Sequence, residues 1–133
     1  MTNIHHRILV VDDLADWRTT LGGLLEDDGY DVQVAESSAE ALELLRTSHF
    51  DLAVLDVRLD ESDEDNTEGL DLAAEIKQHW PAVKVVIITG YGTPERMRRA
   101  LEPDVRGQPL ATDYIPKTQT EELVQVVRRI LVK

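Results

Sequence analysis

Ile8-Leu9-Val10-Val11-Asp12-Asp13 is a run of four apolar residues closed by two carboxylates, and Leu52-Ala53-Val54-Leu55-Asp56 has the same form. Runs this short, rich in apolar and β-branched residues and lacking polar alternation, read as strands covered on both faces, as in a parallel sheet flanked by helices. Val85-Val86-Ile87-Ile88 is another such run, Val32-Gln33-Val34 a shorter strand, and Tyr114-Ile115 a weaker fifth candidate.

Between the runs the apolar period becomes that of a helix. Leu14, Trp17, Leu21, Leu24 and Leu25 fall on one inward stripe that ends at Gly29, predicting a first helix. Ser37 and Glu40 have capping-box spacing and open a second, with Ala41, Leu44 and Leu45 facing inward. A third runs from Leu70 to His79 and stops at Trp80-Pro81. Pro94 suits the first turn of a fourth, which continues through Met97 and Leu101. The last follows a Thr118 to Glu121 capping box and bears the clearest stripe, Leu123, Val126, Val127, Ile130 and Leu131. Strand followed by helix, repeated five times, implies right-handed crossovers and an open α/β sheet.

At 133 residues the chain is one ordinary domain, residues 1–133, and 42% hydrophobic residues suffice for a core. The absence of cysteine excludes disulfides and thiolate metal sites and suits a reducing cytoplasm. No apolar run approaches a bilayer span, and Met1 to Arg7 lacks the apolar stretch of a signal peptide, so the expectation is a cytoplasmic protein with no membrane partner. A formal charge of -12 argues against direct nucleic-acid binding, because phosphate backbones reward Lys and Arg. It suits cations, or simply a solvated acidic surface.

In open α/β sheets ligands bind beyond the C-terminal ends of the strands. Asp12 and Asp13 follow strand one, Asp56 closes strand three, Thr89 closes strand four and Lys117 follows strand five, so all five reach one sheet edge. Each alone has an ordinary reading as a turn residue, a helix cap or a solvated side chain. Together they make a signal, because three crowded carboxylates repel one another unless a cation or proton neutralises them. A hard divalent ion with oxygen preference, Mg²⁺ or Mn²⁺, meets that need.

Four segments, Ile8 to Asp13, Leu52 to Val57, Ile88-Thr89-Gly90-Tyr91-Gly92 and Asp113-Tyr114-Ile115-Pro116-Lys117, resemble in content and order the receiver domains of two-component response regulators. The resemblance covers nearly the whole chain. It implies a flavodoxin-like (CheY-like) doubly wound parallel sheet of five strands, order 2-1-3-4-5, with five helices. By the same resemblance Asp56 is the phosphoacceptor, receiving a phosphoryl group from a sensor histidine kinase or phosphotransfer protein. Asp13, Asp56 and the backbone carbonyl of Arg58 would bind the metal directly, and Asp12 would hold it through water. Lys117 and the Thr89 hydroxyl would meet phosphoryl oxygens, and Gly90 would leave them room. Movement of Thr89 would let Tyr114 turn inward and alter the face formed by the fourth helix, strand five and the fifth helix. That face would address an unidentified output protein or effector domain, or a second copy in a homodimer. The domain would catalyse only its own phosphorylation and dephosphorylation.

Three features depart from the family pattern. Pro116 precedes Lys117 and Thr118 follows it, where the family commonly has Pro after the Lys. The acidic insertion 60–68 extends the loop after Asp56, which lacks the usual Met-Pro; it reads as a solvated segment, a restraint on access to Asp56, or a lure for a basic partner. The EF-hand ligand pattern is not matched there. The insertion 102–110, with Pro103, Gly107 and Pro109, replaces a short turn near the basic residues Arg96, Arg98 and Arg99 and argues for a particular partner or dimer contact. The four histidines lack metal-ligand spacing, and Trp17 and Trp80 read as packing residues.

Two competing classes set the alternatives. A phosphatase of the haloacid-dehalogenase type also uses a strand-end Asp, but it wants a second acid two positions later, where this chain has Arg58. A pseudo-receiver would keep the fold and signal by protein contact without phosphate. The residues fit either a stand-alone receiver or part of a longer regulator.

Overall fold

In the computed structural model, which describes residues 6–56, 68–89, 113–116 and 120–131, the apolar runs become strands of one parallel sheet. The strands are β1 (Arg7–Val11), β2 (Asp31–Ala35), β3 (Leu52–Asp56), β4 (Lys84–Thr89) and β5 (Asp113–Pro116), in the order β2-β1-β3-β4-β5. This is the expected order, and β1 lies between β2 and β3. The described helices are α1 (Ala15–Asp27), α2 (Ser38–Thr47), α3 (Glu68–His79) and α4 (Glu121–Leu131). The helix expected from Pro94 through Leu101, the insertion 102–110 and the loop 57–67 lie outside the described residues.

The strands show no polar alternation because each face of the sheet has its own core. Leu9, Val11, Ala53, Leu55, Val85 and Ile87 join Ala41 and Leu45 of α2 and Leu72, Ala73 and Ile76 of α3. The residues between them, Ile8, Val10, Leu52, Val54, Val86 and Ile88, join Leu21 and Leu25 of α1 and Leu123, Val126 and Val127 of α4. Side chains on a strand point alternately to its two faces, so a continuous apolar run is what a doubly covered sheet requires. Trp17 and Trp80 pack against these cores, as read from the sequence.

Local chemistry sets the helix ends. Ser37 Oγ accepts the Glu40 backbone N–H at 3.2 Å, and Glu40 Oε1 accepts the Glu36 N–H at 3.0 Å, so the predicted cap forms with its return bond one residue upstream. At the end of α1 the Tyr30 N–H reaches the Leu25 carbonyl at 3.2 Å and the Gly29 N–H the Glu26 carbonyl at 3.0 Å. This paired closure needs a left-handed residue, and Gly29 supplies it with φ 94°.

Two expectations are corrected. Leu14 does not join the inward stripe: it is the N-cap of α1, its backbone is extended, and its side chain is 39% exposed. Val34, on the edge strand β2, is 43% exposed. Glu68 belongs to the first turn of α3, so the helix begins before Leu70 and takes the last residue of the acidic insertion.

At the N-terminal edge of the sheet Asp51 ties three strands. Its N–H donates to the Arg7 carbonyl at 2.8 Å, its Oδ2 accepts the Arg7 N–H at 2.8 Å, and its carbonyl accepts the Lys84 N–H at 3.1 Å. This leaves the opposite edge for chemistry.

Candidate functional site

β1 and β3 are neighbours in register, with Val11 opposite Leu55, so the residue after β1 and the last residue of β3 emerge together at the C-terminal edge. Asp12 and Asp56 are those residues. They are 0% and 1% exposed and are the buried charged side chains among the described residues; Asp13 is half-buried beside them. One carboxylate oxygen from each of Asp12, Asp13 and Asp56 lies within 4.8 Å of the other two.

The backbone around Asp12 is held on every side. Its N–H donates to the Ala35 carbonyl at 3.1 Å, continuing the β1–β2 ladder by one residue. Its Oδ1 accepts the Leu14 N–H at 3.0 Å, a side-chain turn that brings the chain round into α1, whose N-cap offers no side-chain bond of its own. Its carbonyl accepts Arg18 Nη1 at 2.8 Å, and Arg18 Nη2 stands 3.8 Å from Glu36 Oε2.

Burying carboxylates side by side is costly unless countercharge is supplied. Three oxygen donors without nitrogen or sulfur are the preference of a hard cation, and Mg²⁺ uses few carboxylates and keeps waters. The donor set fits that ion.

Of the remaining predicted residues, Thr89 ends β4 and Tyr114 lies in β5. Asp56 pairs with Ile88, so Thr89 stands one position beyond Asp56's partner on the neighbouring strand. Pro116 pairs with Thr89 and Tyr114 with Ile87, so β5 runs alongside β4 to the same edge. Arg58, Gly90 and Lys117 lie outside the described residues. Arg18 was not singled out by the sequence. A signal existed, since a cation early in a helix opposes the helix dipole and implies a specific acceptor.

Residues 8–128 match the family model of the response regulator receiver domain. The chain belongs to that family. The receiver domain is 39% identical over 117 residues to the transcriptional regulatory protein ZraR of Escherichia coli K12, covering 88% of this chain and 24% of that protein. It is also 39% identical over 111 residues to the alginate biosynthesis transcriptional regulatory protein AlgB of Pseudomonas putida, covering 84% and 22%. The chain thus spans about a quarter of the length of these relatives. Among solved structures, the receiver domain of NtrX from Brucella abortus superposes with TM-score 0.78 at 34% identity, over 93% of this chain and 97% of that one. A CheY-like receiver domain protein from Methanospirillum hungatei JF-1 gives 0.79 at 28%, over 95% and 93%. The fold is therefore the flavodoxin-like α/β fold of CheY, as the resemblance implied. No described helix of this receiver domain is long and apolar enough to cross a membrane.

Proposed function

We propose that this receiver domain accepts a phosphoryl group on Asp56 from a phosphohistidine of a sensor histidine kinase or phosphotransfer protein, in the presence of Mg²⁺. The observation that carries this reading is the convergence of Asp12, Asp13 and Asp56, two of them buried, at the sheet edge where α/β folds bind ligands.

In the transfer a carboxylate oxygen of Asp56 attacks phosphorus. The new O–P bond forms as the P–N bond to the donor imidazole breaks, and the imidazole leaves. Asp13, Asp56 and the Arg58 carbonyl would hold the metal, with Asp12 acting through water; the ion supplies charge that offsets the incoming phosphoryl group. Lys117 pairs with one phosphoryl oxygen, the Thr89 hydroxyl donates to another, and Gly90 leaves space.

The phosphoryl group brings about two negative charges to an acidic edge, so the cationic and hydroxyl groups around it must close upon it. Thr89 moves toward the phosphoryl group, and Tyr114 on the adjacent strand turns into the space released. A preference of a few kcal/mol for one arrangement is enough to reverse the populations. The altered face, built on β5, α4 and the segment 94–101, then engages an output protein, an effector domain or a second copy.

Intact mass after incubation with Mg²⁺ and acetyl phosphate tests the reading. The parent should gain one phosphoryl group, and Asp56→Asn and a metal-free sample should gain none. No addition to the folded parent would favour the pseudo-receiver.

A further inference from the structure

We infer that Arg18 is a positioning residue of the metal site, acting through the peptide that joins its two adjacent carboxylates. The inference rests on the functional reading above and deepens it.

Arg18 sits in the second turn of α1 with only 18% of its side chain exposed. A guanidinium near a helix N-terminus is disfavoured by the dipole, so this placement needs specific acceptors. It has them. Nη1 donates to the Asp12 carbonyl at 2.8 Å, and Nη2 faces Glu36 at 3.8 Å. Glu36 is in turn held through its N–H by Glu40 Oε1 at 3.0 Å, within the cap of α2.

The Asp12 carbonyl belongs to the peptide whose nitrogen is that of Asp13, so fixing that oxygen fixes the plane from which the Asp13 side chain departs. The Ala35 and Leu14 bonds already hold the other side of Asp12. Arg18 adds a third bond to this set, on the carbonyl of the peptide that joins the two carboxylates. The planar fork matters, since one cation must meet two acceptors in different directions.

The test is calorimetric titration of the full chain with Mg²⁺, together with amide hydrogen exchange of the metal-free protein, for the parent, Arg18→Met, Arg18→Lys and Glu36→Gln. Losing a charge-assisted bond that preorganises the ligands should weaken Mg²⁺ binding by about tenfold in Arg18→Met. Arg18→Lys, which keeps the charge and can reach one acceptor, should recover part of this loss. Glu36→Gln, which leaves the Asp12 carbonyl bond intact, should stay within about twofold of the parent. The Leu14 amide, bonded to Asp12 Oδ1, should exchange faster in Arg18→Met while Val54 and Ile88 keep their protection. Parental Mg²⁺ affinity in Arg18→Met, or Leu14 exchange that rises only in step with Val54 and Ile88, would overturn the role and leave Arg18 as a packing residue. If Arg18→Met does not fold, Arg18→Lys decides alone: parental affinity and parental Leu14 exchange would sink the inference. Failure of the parent itself to bind Mg²⁺ would remove the functional reading and this inference together, whereas a parent that binds while Arg18→Met binds equally removes only the latter.

Discussion

Asp56 is 1% exposed and shares its surroundings with Asp12 and Asp13, each within 4.8 Å by one carboxylate oxygen. In the absence of metal this arrangement costs stability, because like charges at such a spacing repel by about 1–3 kcal/mol depending on the local dielectric. Asp56→Asn keeps the shape and removes one of the charges, so the metal-free variant should melt several degrees above the metal-free parent. Thermal unfolding in the presence of a chelator measures this, and an unchanged or lower Tm would contradict it. The three carboxylates were legible in the sequence because each closes or follows an apolar run whose length marks it as a strand. Arg18 was not singled out, since its place early in a helix hints at an acceptor without naming it, and its partners, a backbone carbonyl and a residue just after another strand, have no local sequence pattern.

The helices show what pattern can and cannot reveal. Ser37 and Glu40 announce their cap by spacing, and Gly29 marks its turn by composition. Leu14 misleads because an apolar residue at an N-cap has the right period without the helical backbone. The link between α1 and α4 had no signal at all. Arg128 Nε donates to Asp28 Oδ2 at 2.8 Å and Nη2 donates to Oδ1, a bidentate pair across 100 residues. The hydrogen bond from Arg128 holds the Asp28 carboxyl below its ordinary value of 3.8. A carboxyl lowered on folding stabilises the protein above its unfolded value, and that contribution disappears as pH falls through the folded value. Melting temperature should therefore fall with acid below about pH 4, and Arg128→Ala should lose part of that acid dependence while giving a lower Tm at neutral pH. Parallel Tm curves for parent and variant across this range would show that the pair does not tether α4. The effect is modest because Arg128 lies at the surface, where salt and water weaken such pairs.

Over the whole molecule, the uninterrupted strands and the helical stripes between them sufficed to read an open parallel α/β sheet, while its order β2-β1-β3-β4-β5 was implied by the receiver-domain resemblance. The order brings β1 and β3 together at the centre, and with them the three carboxylates. What remained illegible lies where local preference is weak: the full extent of the edge strand β2, which runs Asp31–Ala35 around the Val32-Gln33-Val34 run, and the exact start of α3 beyond an acidic loop. The chain belongs to the receiver family, and the account stands or falls on Asp56 as its acceptor. The most direct test is to phosphorylate the protein with acetyl phosphate and Mg²⁺, reduce the acyl phosphate with borohydride, and map the peptides. Homoserine at position 56 and at no other aspartate is the predicted result. An unreduced Asp56 in a protein that has gained phosphate elsewhere would contradict the account.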